Sequence, residues 1–190
     1  MTLITPDYLE QQRQMHTRDD YAVVGHTFAG SVFRLAHRYK AKSVLDYGAG
    51  RCLLQKGLMK EDDVLRFETR CRCPADSHPW MDGTWHNYDP AIPGLKEEPP
   101  ACELLVCTDS LEHIEPDCLD AVLDHMQRLA NVAVYFTVPT VKAKKTLPDG
   151  RNAHLIVEPV EWWLPQFMRR WTLSCAVNHG KAFEFIGEAR

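Results

Sequence analysis

The sequence predicts an α/β protein: a three-layer α/β/α sandwich around a mostly parallel sheet, closed by a C-terminal antiparallel hairpin. Three observations carry that reading. Short, continuous apolar runs such as Leu104-Leu105-Val106-Cys107 and Val132 to Val138 suit strands buried on both faces. They alternate with segments whose apolar residues recur at helical spacing. Two further apolar stretches near the end of the chain are separated only by Asn178-His179-Gly180-Lys181, which has hairpin character.

The elements follow in order. Asp7 to Thr17 is polar and glutamine-rich and reads as a short surface helix or lid within residues 1–20. Phe28, Val32, Leu35, Ala36 and Tyr39 fall on one face of a helix from about Thr27 to Tyr39. Ser43-Val44-Leu45-Asp46 is a buried strand, and Leu53, Leu54 and Leu58 mark the helix after its glycine turn. Residues 61–83 are charged and irregular and read as an insertion. Trp85 to Tyr88 is a second strand, followed by a loop carrying Pro90, Pro93, Gly94, Pro99 and Pro100. That loop is too short for a further helix–strand–helix passage. Glu103 to Cys107 is the next strand, Pro116 opens a helix with Leu119, Val122, Leu123, Met126 and Leu129 on its buried face, and Val132 to Val138 is the strongest strand of the chain. A helix from about Pro159 to Arg169 precedes the hairpin strands Trp171–Val177 and Ala182–Ile186. At 190 residues, one domain over 1–190 accounts for the chain.

Repeated strand–helix units place a ligand outside the carboxyl ends of the strands. There the motif Val44-Leu45-Asp46-Tyr47-Gly48-Ala49-Gly50 stands out. Its glycines allow a tight turn and a close backbone approach to a ligand, and the helix that follows offers free N–H groups. A second acid, Asp89, ends the next strand, and an apolar strand runs into Thr108-Asp109-Ser110-Leu111-Glu112-His113.

In this order of features, from Tyr21 to Arg190, the chain resembles the class I S-adenosylmethionine-dependent methyltransferases, especially the branch acting on small molecules. Val44 to Gly50 looks like their first motif, Tyr88-Asp89-Pro90 like their second acidic motif, and Cys107 to Ile114 like the segment after their fourth strand. The resemblance implies a Rossmann-like sheet, here shortened around the family's usual third strand, and S-adenosyl-L-methionine as cofactor. It implies that Asp46, Gly48 and Gly50 line the methionine half, that Asp89 accepts hydrogen bonds from the ribose hydroxyls, that Tyr47, Ala49 and Thr108 also border the cofactor, and that Asp109 touches cofactor or acceptor. Cys52 stands where many relatives have a third glycine; a helix accommodates it.

Methyl transfer needs an acceptor in line with the methyl group and a base when the acceptor must lose a proton. Glu112, His113 and His154 are the catalytic candidates; bracing of the following helix is the competing role for the first two. Asp109, Glu112, His113 and His154 also have donor types that suit a divalent ion, but similar small-molecule relatives work without one, so no metal is expected. Cys71, Cys73, His78 and His86 are too irregularly spaced for a zinc centre. The basic loop Lys142 to Arg151 is either a solvated face or a receptor for an anionic acceptor, and Trp162 and Trp163 wall the acceptor pocket or belong to the core.

Charge narrows the partners. With 22 Lys and Arg against 26 Asp and Glu, the formal charge is -4, and no global positive field favours a nucleic-acid backbone. The expected partner is a small-molecule acceptor methylated on oxygen or nitrogen. A nucleotide- or nucleic-acid-modifying enzyme stays open through the basic loop, and a noncatalytic cofactor-binding subunit is the reading from another class. Seven cysteines without a regular framework fit a reducing, cytoplasmic setting, and no apolar run is long enough to cross a membrane.

Overall fold

A computed structural model describes residues 2–58 and 84–190; the expected insertion at 61–83, with Cys71, Cys73 and His78, lies outside the described residues. Helix α1 (Pro6–His16) leads through a 3-10 turn (Gly25–Phe28) into α2 (Ala29–Tyr39). Then come β1 (Ser43–Tyr47), α3 (Leu53–Leu58), β2 (Thr84–Tyr88) and β3 (Cys102–Thr108). Helix α4 (Leu119–Leu129), β4 (Ala130–Pro139), α5 (Val160–Met168), β5 (Thr172–Asn178) and β6 (Ala182–Glu188) complete the order.

The strands form one sheet in the order β2-β1-β3-β4-β6-β5. The first four are parallel, and β6 and β5 return antiparallel as the expected hairpin. Between Asp89 and Cys102 the chain makes only turns, so the shortening around the third strand is real. Successive strand residues face opposite sides, and both sides are buried. Leu45, Leu105, Val134 and Phe136 pack under α4 and α5 with Trp163, Phe167 and Trp171. Val44, Leu104, Val106 and Tyr135 pack under α2 and α3 with Val32, Phe33 and Leu54.

Three local expectations change. Pro116 opens a separate 3-10 turn (Pro116–Cys118), and α4 begins only at Leu119. Cys52 is not helical: it has φ 55° in the turn before α3, so the missing glycine is met by a left-handed backbone that costs a residue with a Cβ roughly 1–2 kcal/mol. Trp163 is core, while Trp162 stays exposed away from the cleft described below.

Helix α1 is the largest departure from a surface element. Tyr8, Gln12 and Met15 are buried, and with Tyr21, Leu147 and Ala153 they form a third, smaller cluster between the N-terminus and the loop after β4. The Glu115 carboxylate fastens its start by accepting from Thr5 N–H at 2.8 Å and the Thr5 hydroxyl at 2.7 Å. Such bonds to a charged acceptor hold an element locally without adding to the main core. Replacing Glu115 by Ala is therefore expected to raise amide hydrogen exchange across residues 5–16 by roughly tenfold or more, while the thermal midpoint moves by less than about 3 °C. Exchange mass spectrometry checks this, and unchanged protection of the segment would show that the tether does not hold it.

Candidate active site

A cleft of about 480 Å³ opens at the carboxyl ends of β1 to β4. It is bordered by Asp46, Tyr47, Gly48, Ala49 and Gly50 from the first turn, Asp89 after β2, Thr108, Asp109, Glu112 and His113 after β3, and His154 from the loop after β4. Every cofactor-binding and catalytic candidate read from the sequence borders it. The sequence did not point to Tyr8, Gln12, His16 and Tyr21 of the N-terminal segment, which form the outer wall. Their signal was hidden because polar side chains buried against one another carry no apolar periodicity.

The glycine turn is held from three sides. Gly48 and Ala49 donate their N–H groups to Tyr88 O at 2.8 and 3.0 Å, Gly50 N–H donates to Asp89 Oδ2 at 3.0 Å, and the Ser110 hydroxyl donates to Gly48 O at 3.3 Å. Gly48 and Gly50 have φ 82° and 50°; a Cβ on the first would stand 2.6 Å from Ser110 Oγ, and on the second 2.9 Å from Ala22 Cβ. The protein itself thus demands these glycines, whatever ligand approaches them. Tyr47 offers the cleft little beyond its backbone, since its hydroxyl is bonded to His125 Nδ1 at 2.8 Å.

Asp89 serves the turn as well as the cleft. Besides Gly50 N–H, its carboxylate accepts from Ala91 N–H at 2.9 Å, and His16 Nε2 lies 3.8 Å away. Asp109 sits at φ 48° with its N–H on Thr137 O and its Oδ1 accepting from the Thr137 hydroxyl, both at 3.1 Å. This clamp ties the β3 end to β4.

The loop after β4 is organised by Asn152, another residue the sequence gave no reason to notice. Its side chain bridges Ala143 N–H and C=O at 3.0 and 2.9 Å and accepts from His154 N–H at 3.0 Å. His154 Nδ1 then contacts Val141 O at 2.6 Å, and His113 Nδ1 contacts Ala153 O at 2.7 Å. Carbonyl oxygens only accept, so both rings carry a proton on Nδ1. Their Nε2 atoms lie 3.6 and 3.8 Å from Glu112 Oε1.

The basic loop is less free than its composition suggests. Lys145 pairs with Asp20 and lies over the Tyr21 ring, and Arg151 pairs with Asp149. Lys142 and Lys144 border the cleft without an ion pair among the described residues.

No protein-family model and no curated protein matches the chain. Solved structures do. Over 100% of this chain and 92% of its own length, 1,6-didemethyltoxoflavin N1-methyltransferase of Burkholderia thailandensis, solved with its namesake ligand and S-adenosylhomocysteine, superposes with a TM-score of 0.57 at 16% identity. The N-methyltransferase NodS of Bradyrhizobium japonicum, solved with S-adenosylhomocysteine, superposes over 97% of this chain and 99% of its own, with a TM-score of 0.53 at 12% identity. An O-methyltransferase family protein of Burkholderia thailandensis gives 0.56 at 12% identity over 90% of this chain, which spans only 57% of that longer protein. The chain has the class I methyltransferase fold.

On this methyltransferase fold, the cleft floor is electrostatically poised. Burial, reinforced by the neighbouring Asp89 charge, pushes the Asp46 carboxyl up to about 7. Burial likewise raises Glu112 well above the usual carboxylate range, with the Asp109 charge adding to it. His113 is lowered to about 4 by burial and by His154, so its ring is neutral near pH 7. Asp109 is raised by burial.

The Asp46 shift has a sign that can be measured. A carboxyl whose folded value exceeds its unfolded one binds more protons in the folded state, so its contribution to stability is present at low pH and lost as pH rises from about 4 through 7. Asp46→Asn removes the ionisation and is expected to raise the thermal midpoint at pH 8 by several degrees, roughly 3–8 °C, while leaving it nearly unchanged at pH 4. An Asn variant less stable than the parent at pH 8 would contradict this. At Asp89 the opposite holds. Asp89→Ala strands the Gly50 and Ala91 N–H groups and is expected to cost about 2–4 kcal/mol in urea unfolding; an unchanged midpoint would mean that the clamp contributes nothing.

Proposed function

We propose that this protein is an S-adenosylmethionine-dependent methyltransferase that methylates an oxygen or nitrogen atom of a small acceptor, anionic where it meets Lys142 and Lys144. One observation carries the reading. The cleft at the carboxyl edge of a methyltransferase fold joins a glycine turn and the buried carboxylates Asp46 and Asp89 to the cluster Glu112, His113 and His154 on its other side.

The residues fit that cofactor. Asp46 is buried, makes no side-chain hydrogen bond among the described residues and prefers a proton until a cation arrives, which is what the ammonium and sulfonium of the methionine half provide. Asp89 has lone pairs beyond those used by Gly50 and Ala91, since each carboxylate oxygen can accept twice, and it sits beside the turn where vicinal ribose hydroxyls would reach it. When bound, the cofactor supplies an activated methyl group on sulfur, with a thioether as leaving group.

The protein's own residues position the acceptor and manage its proton. His113 and His154, each held by its Nδ1–H on a backbone carbonyl, turn their Nε2 atoms toward Glu112 at the cleft. Tyr21 packs edge-on against His113 from the N-terminal segment and narrows the access of water. A positioned base is worth about 100-fold or more.

Titration calorimetry with S-adenosylmethionine and S-adenosylhomocysteine is expected to show one site per chain. Binding of neither would overturn the reading, and binding without turnover across a panel of small anionic acceptors would favour a noncatalytic subunit. Asp46→Asn is expected to weaken S-adenosylmethionine about tenfold or more at pH 8 despite its higher stability. Parental affinity in that variant would remove Asp46 from the cofactor site.

A further inference from the structure

The arrangement of Glu112, His113 and His154 is hard to account for by hydrogen bonding. Glu112 is wholly buried, yet neither carboxylate oxygen has a hydrogen-bond partner among the described residues. Leaving both oxygens unsatisfied costs on the order of several kcal/mol unless something positive meets them. The groups that do face Glu112 are the two Nε2 atoms at 3.6 and 3.8 Å, too far for a hydrogen bond, while both Nδ1 atoms are engaged by Ala153 O and Val141 O. Three atoms able to ligate a metal ion thus converge within 4.8 Å of one another around a buried carboxylate that has no hydrogen-bond partner among the described residues.

We infer that Glu112, His113 and His154 hold a divalent first-row transition-metal ion, with Glu112 Oε1 and the two histidine Nε2 atoms as ligands and the cleft side left open for an acceptor oxygen. The geometry is close to what such an ion needs. Tetrahedral bonds of about 2.1 Å place ligand atoms roughly 3.4 Å apart, so the Glu112–histidine separations of 3.6 and 3.8 Å close with a movement of a few tenths of an ångström, and the whole set, which lies within 4.8 Å, closes with side-chain movements of up to about an ångström. The backbone carbonyls on both Nδ1–H groups do what outer partners of metal-bound imidazoles do: they fix the tautomer and the direction of the ring. Asp109 is left out of the ligand set because its Oδ1 is occupied by the Thr137 hydroxyl. Its charge is nevertheless felt by both Glu112 and His154. Two neutral imidazoles and two carboxylates balance a 2+ ion. Two nitrogen donors with one carboxylate favour zinc, iron, cobalt or nickel over magnesium and calcium, which take oxygen shells. Such an ion site is the alternative that the sequence reading disfavoured, with Asp109 outside the ligand set.

The site stands on geometry alone; its role rests on the methyl-transfer reading. There the ion would occupy the two Nε2 atoms and so replace them as the means of activating the acceptor: as a Lewis acid it would hold an acceptor hydroxyl in place and lower its pKa so that it reaches the methyl group as an alkoxide, its proton passing to solvent.

The test uses the chelator-treated full chain titrated with Zn²⁺ alone, with Co²⁺ as a spectroscopic probe and Mg²⁺ as competitor. Expected is one Zn²⁺ per chain, not displaced by a large excess of Mg²⁺, and a Co²⁺ absorption spectrum typical of nitrogen and oxygen ligands. His154→Gln, at the rim of the cleft, is expected to weaken Zn²⁺ by about 100-fold or more while the circular dichroism spectrum stays parental; Glu112→Gln should do the same if it folds. No stoichiometric Zn²⁺ binding by the parent, or equal binding by a folded His154→Gln variant, overturns the proposal. Calorimetry with S-adenosylhomocysteine on the same samples separates the two readings. Zn²⁺ bound with no affinity for that ligand would sink the methyl-transfer assignment and leave the ion site, and the reverse result would sink the ion site alone.

Discussion

Both faces of the parallel strands β1, β3 and β4 are buried, and most of the molecule follows from that constraint. Strands sealed above and below by helices have no lateral surface on which polar side chains could meet a ligand. Charged residues are tolerated only where the strands end. Asp46, Asp89, Asp109 and Glu112 accordingly lie at or just beyond the carboxyl edge. The same constraint brings residues far apart in the chain into one cleft, because parallel neighbours all finish on the same side.

A cleft at the sheet edge needs a roof, and the chain builds it from its two polar, irregular stretches. Tyr8 donates its hydroxyl to His113 O at 2.6 Å, Gln12 donates to that hydroxyl at 2.6 Å, and Tyr21 donates to Gln12 at 2.9 Å. This chain of bonds connects the N-terminal segment to the backbone of His113. From the other side, Lys145 pins the loop after β4 to Asp20, and Asn152 shapes that loop so that His154 faces Glu112. Both histidines therefore depend on long-range contacts outside the main core.

The buried acids reveal where stability yields to chemistry. Asp89 is well supplied with N–H donors and stabilises the turn, whereas Asp46 and Glu112 are buried with no such donor among the described residues. Unpartnered carboxyls in a desolvated cleft are destabilising when ionised and become favourable only when a cation or a hydrogen-bond donor arrives. That asymmetry between neighbouring acids, more than the presence of acids in general, distinguishes groups built for the fold from groups built for a ligand.

The succession of strands and helices, the hairpin and the shortened third-strand region were legible in the sequence because burial on both faces writes itself as continuous apolar runs, and because Pro90 to Pro100 leaves no room for another unit; the lateral order of the strands was not. The glycine turn and the acids around it could be read for a similar reason: local backbone needs restrict residue type. Much of the rest could not. Whether Gly48 and Gly50 answer to a ligand or to Ser110 and Ala22, whether Lys145 is free or paired, and which nitrogen of His113 and His154 faces Glu112 depend on partners up to 125 residues away. The sequence by itself determined the layers and the edge at which chemistry could occur, since those follow from periodicity and chain length. Only the tertiary structure decided which of the edge residues share a hydrogen bond and which face one another beyond hydrogen-bond distance, because that depends on distances between loops that local sequence does not encode.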